Sequence, residues 1–190
     1  HIGIAMGKRG SELAKEAASL ILVNDDLGKM VDAVAMGRKI YGNLKKAIQY
    51  IISIHIPIIL TVSLPLLFGW LYPNIFTPVH VIFLELLMGP TCSIAYESEP
   101  LEAGSMRRRP RRRELTFLSW RELRTSLAQG LMITIGTLAM YQYAVYHAMG
   151  EEMTRALVFT ALVTANIALT LVNRSFEHSV FSTLRYHNPV

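Results

Sequence analysis

Three stretches without Asp, Glu, Lys or Arg limit what this chain can fold into. They run from Ala47 to Leu84, from Thr125 to Gly150 and from Ala156 to Asn173. A helix needs about 20 apolar residues to cross a bilayer, and the turn signal LYPNIFTP divides the first stretch. With 52% hydrophobic and only 17% charged residues, a membrane protein is the predicted class. The sequence therefore predicts four membrane helices, at about 46–69, 78–98, 124–148 and 155–173.

The basic residues predict the orientation of these helices. Six arginines lie between Arg107 and Arg113, after the second predicted span, whereas Arg155 is the only Lys or Arg on the opposite side. The positive-inside rule then places both termini in the cytoplasm. The predicted location is the plasma (inner) membrane, as a multi-pass protein. Basic residues that bracket spans favour anionic lipid as a partner, and nucleic acid is not predicted.

The first residues have the character of a water-soluble segment. HIGIAMG predicts a short strand, and SELAKEAASLILV predicts a helix with Ser11 as N-cap, followed by a second strand. Asn24–Asp26 ends that strand and can cap the next helix, which meets no strong breaker before Pro57. The predicted organisation is a strand–helix–strand piece (1–26), a stalk helix (27–45), the membrane region (46–173) and a cytoplasmic segment leading toward a further span (174–190).

The strand–helix–strand piece is too short to bury a core of its own. We therefore expect it to pair with another chain or to be one part of a larger domain. The predicted fold class is mainly α, with four membrane helices after a remnant of an α/β domain.

Glu85 is a carboxylate inside an apolar predicted span. Ionised carboxylates are costly in hydrocarbon, so Glu85 is expected to face the bundle and a partner, or to hold a proton. Pro90 has no N–H for the carbonyl of Leu86, which leaves an oxygen beside Glu85 without its helical partner. A carboxylate with a freed carbonyl at a broken helix is a pattern of transporter cation sites. The alternative is that Glu85 pairs with a structural cation or is protonated for packing.

A second proline repeats this arrangement in the preceding span. Pro57 frees the carbonyl of Ser53, which lies next to His55 in the sequence. His55 and Glu85 could therefore form a titratable pair across two helices, although a structural role for His55 is an equal alternative.

Three further polar residues could contribute to an ion pathway. Asn166 carries an amide oxygen that can ligate a cation, with hydrogen bonding between helices as the alternative. Glu97 and Glu99 near the cytoplasmic end of the second span could form an entry funnel, but solvated charges are the favoured interpretation. The candidate ion-pathway residues are therefore Ser53, His55, Glu85, Leu86 and Asn166, with no metal assigned.

Long segments of the chain resemble a known family. IGIAMGKRGSELAKEAASLILVNDDLGKMVDAVAMGRKIYGNLKKAIQYIIS, TPVHVIFLELLMGP and EPLEAGSMRRRPR resemble the C-terminal third of P-type cation-transporting ATPases, near the calcium-pump group. The resemblance implies that the strand–helix–strand piece ends a HAD-like phosphorylation domain. It also implies that the spans are the fifth to eighth of ten membrane helices.

The resemblance implies that the catalytic residues lie elsewhere in the parent protein. The phosphorylated Asp, the nucleotide-binding domain, the actuator domain and the magnesium motif would all precede His1. We therefore expect the intact parent to use Mg and ATP, and this fragment alone to bind neither and to hydrolyse no ATP. Asp25 and Asp26 look like a loop and helix cap, not like a magnesium pair. The missing N-terminal part of the same pump is an expected partner.

The resemblance also bears on the transported ion. It places two ligand positions of the calcium pump's fifth helix at His55 and Ile58, and three of its sixth helix at Glu85, Met88 and Gly89. Calcium requires six to eight oxygen ligands, several of them anionic. A proton or another cation with few oxygen ligands therefore fits better than calcium.

Two classes of function compete. The favoured one is the membrane portion of an ATP-driven cation pump, with the stalk coupling phosphorylation to the ion pathway. The other is a free-standing four-helix membrane channel, or a regulatory or structural protein derived from a pump tail. Unpaired strand edges in the first 26 residues argue against the second class.

Overall fold

The computed structural model describes residues 2–102, 104–110 and 117–174. These residues form two compact units. One comprises the described residues up to Tyr41 together with Leu101–Arg109, and the other comprises Gly42–Pro100 and the described residues from Pro110 onward.

The first unit contains the predicted strand–helix–strand piece. Strands β1 (Ile4–Met6) and β2 (Leu20–Leu22) form a two-stranded parallel sheet, and helix α1 (Glu12–Ala17) connects them. Ser11 caps α1, because its hydroxyl accepts a hydrogen bond from the amide of Ala14 at 3.2 Å. The predicted elements and the N-cap are therefore confirmed.

Asp25 and Asp26 both bond to backbone amides. Asp25, whose φ of 58° lies in the left-handed region, accepts from the amides of Lys8 and Arg9 at 2.8 and 3.0 Å. Asp26 accepts from the amide of Gly28 at 2.8 Å, at the start of the next helix. The loop and cap roles are confirmed, although the contact of Asp25 with the β1–α1 turn is one that the sequence did not indicate.

Helix α2 (Gly28–Leu67) is 40 residues long and continues through Pro57 and Pro65. The sequence prediction of a helix without a strong breaker before Pro57 is therefore confirmed. Within the first unit, Arg38 donates to the main-chain oxygens of Ser105 and Arg108, which attaches residues 101–109 to α2.

Helix α3 (Pro78–Pro90) changes character after its proline. The chain continues as a π-helical segment (Thr91–Tyr96). Since Pro90 cannot donate to the carbonyl four residues earlier, the α-helical hydrogen-bond ladder is interrupted there. The wider π-helical turn that follows was not part of the sequence prediction of a span at about 78–98.

Helices α4 (Trp120–Tyr146) and α5 (Glu151–Asn173) complete the second unit. A capping box of Ser119 and Glu122 begins α4. Among the described residues, three helices are long and apolar enough to cross a membrane: Gly28–Leu67, Pro78–Tyr96 and Glu151–Asn173. The helix predicted at 124–148 exists as α4, but four spans are not established.

The core of the second unit lies between α2, α3, α4 and α5. Tyr50, Tyr141, Val158 and Leu162 are at most 1% exposed. Between α2 and α4 the packing is close, since a Cβ atom on Gly130 would lie 2.8 Å from the carbonyl oxygen of Ser53. Two buried hydroxyls of these helices, on Thr61 and Thr137, lie 3.0 Å apart.

Candidate functional site

The structure brings His55 and Glu85 together. His55 Nε2 on α2 lies 3.5 Å from Glu85 Oε1 on α3, and the two side chains are 40% and 54% exposed. Glu85 therefore has the partner that the sequence suggested. Its side chain does not point into the helix bundle that the described residues form. The reason is helical phase, because Leu84 and Met88 are the residues of α3 that pack inward.

The geometry around His55 determines where a proton must lie. His55 Nδ1 is 2.8 Å from the carbonyl oxygen of Ile51. A carbonyl only accepts, so Nδ1 carries a hydrogen. In the neutral ring Nε2 then has a lone pair, which would face the carboxylate of Glu85. A favourable contact therefore requires a proton on His55 Nε2 or on Glu85, and the pair is suited to hold one exchangeable proton.

Leu86 follows Glu85 on the same exposed face. Its side chain is 69% exposed, and its carbonyl lies four residues before Pro90, which has no amide hydrogen to offer. The carboxylate and this carbonyl are therefore neighbours along α3, as the sequence predicts.

Ser53 lies in a different environment from His55. It is fully buried, its hydroxyl donates to the carbonyl of Gln49 at 2.8 Å, and it lies 3.1 Å from Gln129 Oε1. Gln129 Nε2 in turn donates to Asn173 Oδ1 at 3.0 Å. Ser53 therefore belongs to a neutral polar chain that joins α2, α4 and α5.

Asn166 is part of the same helix interface. It is 2% exposed, and its side-chain oxygen accepts from the hydroxyl of Tyr50. Its Nδ2 is buried without a partner among the described residues. The five candidate residues thus divide into two groups, with His55, Glu85 and Leu86 on one side and Ser53 and Asn166 on another.

The sequence predicted that Glu99 is a solvated charge, but the structure shows a buried side chain. It is 4% exposed, and Arg174 Nε lies 2.5 Å from its Oε1. The prediction was wrong because Arg174, directly after α5, covers this carboxylate. A signal was present in the sequence: both residues follow apolar predicted spans and were assigned to the same side of the membrane.

Two positions that the resemblance assigns to calcium ligands, Ile58 and Met88, carry apolar side chains here. Within the described ranges, no group of three or more His, Cys, Asp or Glu side chains could hold a metal ion. Ile58 and Met88 are buried and apolar, and hard cations require oxygen ligands.

The chain is similar to curated cation pumps. Residues 73–190 match the family described as "Cation transporting ATPase, C-terminus". The chain is 33% identical over 190 residues to "Calcium-transporting ATPase 1" of Lactococcus lactis, covering 98% of this chain and 21% of that protein. It is 31% identical over 193 residues to "Calcium-transporting ATPase" of Bacillus subtilis, with the same coverage.

A human protein is also similar. "Calcium-transporting ATPase type 2C member 1" of Homo sapiens is 27% identical over 180 residues, covering 95% of this chain and 19% of that protein. The chain thus spans about a fifth of the length of the curated relatives it matches.

Proposed function

The chain belongs to the cation-transporting ATPases, and from that membership we propose that it supplies part of the ion pathway of an ATP-driven cation pump. The observation that carries the proposal is the His55–Glu85 pair, with 3.5 Å between Nε2 and Oε1 of two neighbouring helices. An ionisable residue within a membrane helix is a functional candidate by default, because it is costly to keep there.

In this proposal the pair takes up and releases the transported cation. When the cation is a proton, it occupies the position between His55 Nε2 and Glu85 Oε1. Another cation would take Glu85 as its anionic ligand and the carbonyl of Leu86 as a neutral one. Ser53 and Asn166 would offer a second, neutral set of oxygens deeper in the bundle.

The proposed ion is a proton or a cation that needs few oxygen ligands. Glu85 is the only carboxylate among the five candidate residues, whereas calcium favours several anionic oxygens. The similar proteins are named as calcium-transporting, so calcium belongs in the panel of cations that tests the proposal.

We assign the coupling of this site to α2. Residues 27–45 would form the stalk, and the strand–helix–strand piece would be the end of a phosphorylation domain. Since α2 continues as one helix from Gly28 into the stretch that carries His55, movement at its start can reach the ion site.

ATP hydrolysis and Mg binding are assigned to other parts of the intact pump. Asp25 and Asp26 do not fit a magnesium site, because their oxygens accept hydrogen bonds from backbone amides. The pump would lie in the plasma (inner) membrane, with residues 1–45 and the Arg107–Arg113 loop in the cytoplasm.

The proposal is tested with the intact pump in vesicles. ATPase activity is measured across a panel of cations and pH values, with Glu85→Gln beside wild type. We expect wild type to be activated by one cation or by a change in pH, and Glu85→Gln to lose that activation.

Glu97→Gln is the matched control, since Glu97 is an exposed carboxylate further along the same chain segment. It should keep the wild-type dependence. If Glu85→Gln responds to cations and pH as wild type does, the His55–Glu85 pair is not part of the ion pathway.

A further inference from the structure

A buried ion pair connects the segment after α3 to the end of α5. Arg174 Nε lies 2.5 Å from Glu99 Oε1, and the exposed fractions of the two side chains are 14% and 5%. The main-chain oxygens of Glu97 and Glu99 also accept from Asn43 Nδ2 of α2, at 3.2 and 2.8 Å. Three helices are therefore tied together around Glu99.

Stability alone is a poor explanation for this ion pair. Removing two charges from water costs about as much free energy as their attraction returns, and apolar residues of similar volume often serve as well. An ion pair also restricts the relative orientation of two segments, because Arg174 must face Glu99 for the contact to form. The contact is therefore suited to fix the position of one segment against another.

The segment that is fixed lies beyond the break in the helix. Between Glu85 and Glu99 the chain passes Pro90 and the π-helical segment Thr91–Tyr96. The α-helical ladder is interrupted at Pro90, but the chain stays helical from Pro78 to Tyr96, so contacts that hold the π-helical segment also bear on the position of α3. Tyr96 of this segment is buried against Tyr50 of α2, with ring centroids 5.4 Å apart, and its hydroxyl lies 3.4 Å from the carbonyl of Thr170 on α5.

We propose that Glu99 and Arg174 are positioning residues for Glu85. Their ion pair holds the π-helical segment against α5 and so sets the placement of Glu85 relative to His55. The inference rests on the proposed function, in which Glu85 belongs to the ion pathway.

The test is a double variant of the intact pump, Glu99→Met with Arg174→Met, which leaves neither partner as an unpaired buried charge. We expect folded pump to be recovered in wild-type amount. The cation concentration for half-maximal ATPase activity should rise on the order of tenfold, and the ATP concentration for half-maximal activity should not change. A wild-type cation dependence would overturn the proposal.

A second ion pair provides the matched control. Lys45 Nζ lies 2.6 Å from Glu122 Oε1 and joins α2 to α4, and neither residue contributes to the Glu99–Arg174 ion pair. Lys45→Met with Glu122→Met should leave the half-saturating cation concentration at its wild-type value. Equal increases from both double variants would indicate a general loosening of the bundle and overturn the positioning role.

Cross-linking separates this proposal from the proposed function. In a Cys92→Ser background, Cys residues replace His55 and Glu85, and their cross-linking yield is compared with and without the two Met substitutions. We expect the yield to fall several-fold when the ion pair is absent, whatever the transport role of Glu85. An unchanged cross-linking yield overturns the positioning role. The proposed function fails separately, when the Glu85→Gln pump keeps the wild-type cation dependence of its ATPase activity.

If the double Met variant is not recovered, Arg174→Lys decides the question. It keeps the charge but loses the guanidinium geometry. A smaller increase of the half-saturating cation concentration is expected, and no increase overturns the proposal.

Discussion

Three carboxylates of this chain have different roles because their neighbours differ. Glu85 faces a histidine and is half exposed, Glu99 is buried against Arg174, and Asp25 accepts two backbone amide hydrogens. Residue type predicts that each needs a partner. Which partner it finds depends on contacts between residues far apart in the sequence.

Asp25 gives a prediction about pH. The hydrogen bond from the amide of Lys8 is the largest cause that lowers the pKa of Asp25 below its usual 3.8. Hydrogen bonds from the Arg9 side chain and amide lower this pKa further, whereas desolvation of the carboxylate raises it. A depressed folded-state pKa means that this contact stabilises the turn above pH 3.8 and is lost as the pH falls through the lower folded value. The amides of Lys8 and Arg9 should therefore stay protected from hydrogen exchange, measured on the full chain, until the pH falls below the folded-state pKa of Asp25.

Asp25→Ala should remove this protection at every pH. Asp32→Ala is the control, since Asp32 pairs with Lys29 on α2 and should leave exchange at Lys8 unchanged. Protection at Lys8 that persists in Asp25→Ala would contradict the contact.

The prediction that α4 crosses the membrane rests on its exposed surface and its length. Trp120 and Tyr146, one at each end, are 75% and 87% exposed, and Leu131 and Ile135 between them are also exposed. Aromatic residues are enriched where helices meet the two membrane interfaces. From Arg124 to Tyr143 the helix extends about 28 Å at about 1.5 Å per residue, close to the hydrocarbon thickness of about 30 Å.

Crossing by α4 has a direct test. In a Cys92→Ser background, Arg121→Cys and Glu152→Cys should react with a membrane-impermeant thiol reagent from opposite sides of the membrane. The measurement is labelling of sealed vesicles before and after permeabilisation. Reaction of both from the same side would show that α4 does not cross.

At the scale of the whole molecule, close approach of α2 and α4 supports the arrangement of polar residues at their interface. A Cβ atom on Gly130 would lie 2.8 Å from Ser53 O and from Ile56 Cβ. Gly130→Ala should therefore push the two helices apart and destabilise the chain by about 1–3 kcal/mol. Thermal unfolding in detergent measures this loss.

Gly136 on the same helix is the control, because a Cβ atom there meets nothing within 4 Å. Gly136→Ala should leave the stability equal or slightly higher, since Ala favours helix more than Gly. Similar destabilisation by both substitutions would mean that the close contact at Gly130 is unimportant.

Local chemistry determined much of this protein from the sequence alone. Charge-free stretches located the helices of the second unit, Ser11 marked a helix start, and Pro90 marked the end of regular α-helix. Each of these signals depends on residues within one or two turns of one another. The sequence segments quoted above were also sufficient to indicate the family.

Only the tertiary structure decided how the candidate site residues are grouped. Ser53 is close to His55 in the sequence. Each residue of a helix turns by about 100°, so these two side chains are about 200° apart around α2. They therefore lie in different environments. The pairing of Glu99 with Arg174 likewise depends on how α5 packs against the segment after α3. The sequence sets what each side chain can do, whereas helix packing sets which neighbours it meets, because those neighbours come from distant parts of the chain.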